Sequence, residues 1–513
     1  MLKKFNQTER YIIFGFAAVK LLVHFLTNTN YTFHRDEFLY IDDGNHLAWG
    51  FLEVPPLTPL FGKILTTIVG DSVFGVRLLP ALVGALMIFL SARIVKELGG
   101  GKWGIIFACT SFLTSLAFLR TNTLFQPVCL DQLWWVVMLL LALLIVKYHR
   151  KTDYLLLGIA GGLGWMTKYS IVFIAIALVL GILVTMQRKR VSVKYLSMSL
   201  GIAFLIAIPN LIWQYTHNFP IVQHMDELSR TQLVHVDPAE FLIGQVLMQF
   251  AGVGIWFAGV VWLLFSKSAH QYRFLGWTYV FLIGLLLALS GKDYYTLGIY
   301  PVMMAAGGVA IEQWIKNRVV RYVLLTTLVV LNIFVLPMGV PVLSVERMVT
   351  YCKYLEIFGI EQRWEDGEKY PIPQDYADMQ GWEEPVATVA KHYHALPEEK
   401  KATCLIFGAG YAHVGPLNYY RRKYNLPEAY SLDASYVFWV SDSLKFDNMF
   451  LVDDERVDTT PLFFSHMFLD STRNPYARDP GYVFYRSNPR PGMDSTVSEI
   501  IREAKARFYK SRR

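Results

Sequence analysis

Leu133-Trp134-Trp135-Val136-Val137-Met138-Leu139-Leu140-Leu141-Ala142-Leu143-Leu144-Ile145-Val146 carries no charge, and Lys147, Arg150 and Lys151 follow it at once. A bilayer core takes about 20 apolar residues per helical crossing, and this run, read from about residue 130 to 146, is one of many in the chain. Others fall at about 11–27, 74–95, 103–119, 154–167, 170–186, 195–213, 241–265, 273–290, 298–315 and 321–340, which predicts eleven crossings. The 154–167 run is the shortest, and its Gly158, Gly161, Gly162 and Gly164 permit close helix–helix contact. Beyond residue 341 the composition becomes that of a soluble domain.

Of 513 residues, 54% are hydrophobic and 17% charged, and the mean hydropathy is +0.34. Such a composition excludes a soluble enzyme, a disordered chain and a disulfide-dense secreted module. The net charge of +7 is modest for the length and calls for no nucleic-acid partner. Its distribution says more. Lys3, Lys4 and Arg10 precede the first run, Arg188, Lys189, Arg190 and Lys194 follow the sixth, Lys267 and Arg273 the eighth, and Lys316, Arg318 and Arg321 the tenth. With eleven crossings all these basic loops fall on one side, which the positive-inside rule makes cytoplasmic. The N-terminus is then inside and the C-terminal domain outside. The first run, with a basic start and no small-residue cleavage site after it, reads as a retained anchor.

These patterns predict a mostly α polytopic membrane domain over 1–341, with outer loops at 28–73 and 214–240, and a small extracytoplasmic α/β domain over 342–513. Thr403–Phe407, Tyr436–Val440 and Met449–Val452 read as strands. A basic helix over about 497–510 is opened by a Thr496-x-x-Glu499 capping box. Cys352 and Cys404 could form a disulfide in an oxidising compartment or stay as reduced, buried thiols.

Chemistry concentrates at the outer ends of the crossings, where ionisable residues near membrane depth mark sites. The first outer loop contains His34-Arg35-Asp36-Glu37-Phe38-Leu39-Tyr40-Ile41-Asp42-Asp43 and then Glu53-Val54-Pro55-Pro56-Leu57. A short amphipathic helix from Asp36 to Trp49 would put Asp36, Tyr40, Asp43 and Leu47 on one face and turn Phe38, Leu39 and Trp49 to lipid. The Pro-Pro pair would end it and return the chain to the second crossing. Two carboxylates beside the membrane could deprotonate a hydroxyl or orient a cation; a solvated acidic loop is the plainer alternative. Asp131 lies near the outer start of the fourth crossing, where helix capping could also account for it. Arg77, Lys168 and Lys292 gather at the outer headgroup level, where they could receive a phosphate or simply snorkel to phospholipid. Gly408-x-Gly410 lacks the third glycine of a dinucleotide fingerprint and reads as a tight turn. No His cluster shows metal-ligand spacing, so a divalent metal stays unassigned.

The pattern resembles glycosyltransferase family 39, with the GT-C membrane fold, in a bacterial member. Its relatives include the protein O-mannosyltransferases and the lipid A aminoarabinose transferase. The resemblance rests on Asp36-Glu37, Glu53-Val54-Pro55-Pro56-Leu57, Phe125-Gln126-Pro127…Asp131 and Gly161-Gly162-Leu163-Gly164-Trp165-Met166-Thr167-Lys168-Tyr169. It continues through Gly291-Lys292-Asp293-Tyr294-Tyr295-Thr296-Leu297, Tyr300-Pro301, Phe407-Gly408-Ala409-Gly410 and Pro416-Leu417-Asn418-Tyr419-Tyr420.

The resemblance implies transfer of one sugar from a polyprenyl-phosphate donor to an acceptor hydroxyl at the outer face of the plasma (inner) membrane, with inversion. The acceptor is left open among protein, glycan and lipid A. Asp36 would be the general base, with Glu37 orienting it or the acceptor. Glu53, Asp131, Arg77, Lys168, Lys292, Tyr294 and Tyr295 would bind substrate. Val54 stands where the aminoarabinose transferase has a lysine, so one of the other cations must supply that phosphate contact. A lipid or solute transporter is the competing reading. Its mark would be midplane charges in paired repeats, whereas here the charges sit at the outer ends.

Overall fold

A computed structural model of the protein describes residues 4–508 apart from 232, 234, 235, 457 and 458; Lys3 and the end of the 497–510 helix, residues 509–510, lie outside the described residues. All eleven apolar runs fold as helix. Seven give single helices long and apolar enough to cross a membrane: Gln7–Thr27, Val73–Glu97, Pro127–Tyr148, Val193–Thr216, Lys267–Ala288, Asp293–Trp314 and Arg318–Gly339. An eighth, the 241–265 run, becomes two helices, Pro238–Leu247 and Phe250–Phe265, bent by 91° at their break. The other three are shorter. The 103–119 run is split at Ser115 into Lys102–Thr114 and Leu116–Thr121, and the 154–167 and 170–186 runs form Lys151–Trp165 and Ile171–Leu183.

Small residues set how closely these helices approach. A Cβ on Gly158 would lie 2.5 Å from the Ser199 carbonyl oxygen, so helix 151–165 packs backbone to backbone on helix 193–216. A Cβ on Gly307 would meet the Ile255 carbonyl at 1.8 Å, which seats the 300–314 helix in the centre of the bundle, buried along most of its length. Helix 193–216 turns Leu200, Phe204 and Leu205 outward, as a lipid-facing helix does.

The 28–73 loop departs from its expected form. Its helix is Arg35–Asn45, opened by a capping box in which His34 Nδ1 accepts the Asp36 N–H and Glu37 accepts the His34 N–H. Leu47 therefore lies beyond the helix. Phe38 and Leu39 are buried rather than lipid-facing, because the C-terminal domain covers them: Phe38 packs on Trp382, Tyr419 and Tyr420. Trp49 is exposed as expected. After Pro55-Pro56 the chain does not return at once to the second crossing; Pro56 caps a further amphipathic helix, Leu57–Ile68. In the 214–240 loop, Pro220–Thr231 is also helical.

The C-terminal domain holds a five-stranded sheet: β1 Cys404–Gly408, β2 Ala429–Tyr430, β3 Asn448–Asp453, β4 Phe463–Asp470 and β5 Tyr482–Pro489. Its order is β2-β1-β3-β5-β4, with β1 parallel to both β2 and β3, and β5 antiparallel to β3 and β4. Tyr436–Val440, expected as a strand, instead falls on a short 3₁₀ turn over Ala434–Phe438; an apolar run this short does not by itself tell strand from buried turn. The basic helix runs Met493–Ala506, capped by Gly492, and Thr496 bonds back to the Gly492 carbonyl rather than opening a capping box. Cys352 and Cys404 are free thiols in separate packing clusters.

Candidate active site

The helices and the sheet domain enclose a cavity of about 600 Å³. Asp36, Tyr40, Glu53 and Val54 from the 28–73 loop line it, with Arg120, Gln126, Lys168, Lys292, Tyr294 and Tyr295 from the membrane domain and Asp375, Asp378 and Tyr411 from the C-terminal part. Six of the nine residues singled out from sequence meet here: Asp36, Glu53, Lys168, Lys292, Tyr294 and Tyr295.

Asp36 is partly exposed at the cavity wall, and a donor from each side fixes its carboxylate. Gln126 Nε2 donates to Oδ2 at 3.0 Å and the Tyr411 hydroxyl to Oδ1 at 3.1 Å. Arg35 Nε lies 3.8 Å from Oδ1. The first turn of the loop helix thus presents one carboxylate to the cavity, oriented by the membrane domain and the sheet domain together.

Cations stand in the same cavity. Lys168 lies over the Tyr295 and Tyr294 rings, 5.1 and 5.5 Å from their centres. Lys292 reaches Glu365 at 3.3 Å. Arg120 spends Nε on Asp375 at 2.7 Å and stacks on Tyr376, while Nη1 and Nη2 are buried with no partner among the described residues. A guanidinium so held, with two donors to spare, is built to receive a bidentate anion.

Three expected site residues are not at the cavity. Glu37 and Arg77 are both wholly buried and pair with each other. Arg77 Nη2 donates to Glu37 Oε2 at 2.6 Å, and Nε to both carboxylate oxygens at 3.1 and 3.2 Å. Burial works to raise the Glu37 carboxyl, but the Arg77 guanidinium and the amides of Phe125 and His34 outweigh it and hold it below the usual carboxylate range. Glu37 is therefore a brace for the loop, and Arg77 has no face toward a ligand. Asp131 is buried behind Lys168, accepting from Trp135 Nε1 at 3.0 Å and Ser170 Oγ at 2.7 Å. It sits in the second turn of its helix rather than at the cap.

Glu53 is half-buried at the junction with the sheet domain, where the Ser435 hydroxyl donates to Oε2 at 2.7 Å and Oε1 is buried with no partner among the described residues. Burial pushes its carboxyl up to about 7. Asp378 goes the other way, to about 2: burial would raise it, but His34, Arg35 and Arg478 overcome that. His34, Asp375 and Asp378 bring ligand-type atoms within 4.8 Å of one another, a His-containing cluster that the sequence hid because His34 lies more than 300 positions from the two aspartates. Each is already engaged: His34 Nδ1 by the Asp36 amide, Asp375 by Arg120, and Asp378 by Arg35 and Arg478.

Arg120, Gln126, Tyr411 and Asp378 escaped the sequence reading. Arg120 closes an apolar run and Tyr411 follows the Gly408-x-Gly410 turn, but nothing local ties either to Asp36.

Residues 53–213 match the family model described as dolichyl-phosphate-mannose-protein mannosyltransferase. A lipid A galacturonosyltransferase, RgtD of Rhizobium johnstonii, is 23% identical over 323 residues, covering 59% of this chain and 64% of its own length. The chain thus spans just under two thirds of that relative. Among solved structures, ArnT from Cupriavidus metallidurans bound to undecaprenyl phosphate superposes with a TM-score of 0.62 at 14% identity, over 94% of this chain and 98% of that one. Its apo form gives 0.59 over the same shares. The chain has the ArnT-like GT-C fold, a mostly helical membrane domain carrying a small C-terminal sheet domain, as the sequence resemblance implied.

Proposed function

We propose that the protein is a multi-pass membrane glycosyltransferase that moves a single sugar from a polyprenyl-phosphate donor to an acceptor hydroxyl, with Asp36 as general base. The observation that carries this reading is the placement of the oriented Asp36 carboxylate and the cations Arg120, Lys168 and Lys292 in a single cavity at the edge of the membrane domain. Undecaprenyl phosphate bound to the ArnT neighbour supports the donor class, and the lipid A acceptor of RgtD supports a cell-envelope acceptor. The membrane domain is 1–341 and the sheet domain 342–513, with the N-terminus cytoplasmic and the sheet domain on the outer face.

In this reading Arg120, Lys168 and Lys292 hold the donor phosphate, and Tyr294 and Tyr295 fix Lys168. Asp36 takes the acceptor's hydroxyl proton as that oxygen bonds to the anomeric carbon. The bond from the anomeric carbon to the phosphate oxygen breaks, polyprenyl phosphate leaves with the electron pair, and the anomeric centre inverts. The cations offset charge that develops on the leaving phosphate. Glu53, about half protonated near neutral pH with its carboxyl at about 7, would donate to a sugar or acceptor hydroxyl through Oε1.

The test is transfer from radiolabelled polyprenyl-phosphate sugars by purified protein, with Asp36→Asn beside wild type. General-base assistance supplies about 10²–10⁴-fold, so a loss of that size with donor binding intact supports the reading. Equal rates for the two proteins refute Asp36 as the base.

A further inference from the structure

Helices 73–97 and 151–165 both pack on helix 127–148, and the three together line a groove of about 400 Å³. Its wall is apolar, made of side chains such as Leu90, Trp134, Val137, Leu141, Leu144 and Ile159, and it shares no lining residue with the cavity around Asp36. Leu156, which also lines it, is exposed, so the groove is open along the flank of the bundle. Its extent is that of one leaflet. Trp134 and Leu144 are ten residues apart on one helix, about 15 Å at 1.5 Å per residue, or half of a hydrocarbon core about 30 Å thick.

Two charged residues, Arg93 and Asp153, line the groove, and both stand at one end of it. Arg93 lies one turn before Glu97, the last residue of helix 73–97, and Asp153 is in the first turn of helix 151–165. Helix 127–148 finishes at the same level, where Lys147 and Tyr148 bond to Glu97. Asp153 is 5% exposed, and its Oδ2 is buried with no partner among the described residues. A helix start favours a carboxylate, but no amide donates to this oxygen, and a buried acceptor left unsatisfied is costly. Arg93 Nη2 pairs with Glu97 at 2.6 Å, and the same carboxylate takes Lys4 at 2.7 Å and Lys147 at 3.1 Å. Three cations share one carboxylate there. The groove thus ends in a negative oxygen that wants a donor, beside an excess of positive charge. At its other end Trp134 Nε1 donates to Thr167 Oγ1 at 2.9 Å, next to Lys168 of the active-site cavity. A lipid phosphate held in that cavity would therefore lie at the apolar tip of the groove, the wrong end for its charges.

We propose that this groove binds a phospholipid with a primary-amine head group, of the phosphatidylethanolamine type. One acyl chain lies along Leu144, Leu141, Val137 and Trp134, the ammonium donates to Asp153 Oδ2, and the phosphate faces Arg93. A zwitterionic head matches both charges at the mouth, whereas an anionic head would leave the Asp153 oxygen without a donor. On the orientation given under Proposed function the lipid belongs to the cytoplasmic leaflet. It fills the space between helices 73–97 and 151–165 and so ties both to helix 127–148.

The test needs no sugar donor, so it stands or falls apart from the transferase reading. Full-length protein in detergent is titrated with phosphatidylethanolamine, phosphatidylcholine or phosphatidylglycerol of identical acyl chains, and bound lipid is read by native mass spectrometry. The choline head is cationic but has no N–H to donate, and the glycerol head has no cation. A charge-assisted hydrogen bond is worth about tenfold or more in affinity, so wild type should bind one phosphatidylethanolamine about tenfold more tightly than either other lipid. Asp153→Asn should erase that preference, and Ile159→Trp, which fills the groove, should weaken binding itself. Leu155→Trp, exposed on the same helix and outside the groove, should change neither. Ile159 is half-buried, so its variant serves where Asp153→Asn does not fold. Equal affinity of wild type for the three lipids overturns the proposal, as does a preference for phosphatidylglycerol. Phosphatidylethanolamine selectivity that survives both Asp153→Asn and Ile159→Trp, or that is lost equally in Leu155→Trp, overturns it too.

Discussion

Glu37→Gln is the most informative single change, because Glu37 neighbours Asp36 in sequence yet faces the opposite way. The glutamine keeps the shape and removes the charge, leaving Arg77 wholly buried without its counter-ion. Arg77 would retain neutral partners, Asn28 O at 2.6 Å, Thr32 O at 2.8 Å and Met379 Sδ at 3.4 Å. Glu37 also accepts the amides of Phe125 and His34, each at 2.8 Å, and an amide side chain cannot accept as strongly at both oxygen positions. Breaking a buried, hydrogen-bonded ion pair costs about 3–5 kcal/mol, a large share of a typical stability of about 5–15 kcal/mol. Thermal unfolding of detergent-purified protein should shift markedly downward, with transfer lost in proportion to folded protein. The double variant Glu37→Gln/Arg77→Met should recover much of the stability, because the uncompensated charge is gone. A Glu37→Gln protein of unchanged stability that has lost transfer would refute this reasoning and put Glu37 in the chemistry.

Glu53 gives a pH signature: its folded carboxyl is raised from the ordinary 4.5 to about 7, so the stability it supports is full below pH 4.5 and is lost as pH rises through about 7. The loss is on the order of 3 kcal/mol, and limited proteolysis at the junction between Glu53 and Ser435 should show loosening with rising pH that Glu53→Gln abolishes. Asp378 has the opposite sign, its contribution present above pH 3.8 and lost as pH falls toward 2; the same proteolysis at acid pH, with Asp378→Asn as control, reads it. Tyr411→Phe removes one donor from Asp36 and should lower kcat about tenfold with little change in KM; a KM effect alone would deny it a positioning role. Gly158→Val drives a side chain into the Ser199 carbonyl and should cost about 1–3 kcal/mol, seen as reduced thermal stability; a neutral result would mean that helices 151–165 and 193–216 part freely.

Much of the architecture follows from the sequence alone, because crossing a bilayer imposes a one-dimensional rule. A helix must satisfy its own backbone and show apolar side chains over some 20 residues, so every apolar run became helix. Asp36, Lys168 and Lys292 stood out because charged side chains at the ends of such runs have few structural reasons to be there, whereas Glu53 and the Tyr294-Tyr295 pair came with the family resemblance. The sequence could not tell which way a side chain points. Asp36 and Glu37 are adjacent, and only packing against Arg77 and Phe125 sends one inward as a brace and leaves the other at the cavity. Phe38 and Leu39 suit lipid by hydrophobicity, but the sheet domain gives them a drier neighbour. Arg120, Gln126, Tyr411 and Asp378 converge on one cavity from positions up to 291 apart, and the His34–Asp375–Asp378 cluster forms in the same way. Local periodicity determines the helices, whereas the site is a property of distant segments meeting, set by the burial and pairing of charges that tertiary structure alone decides.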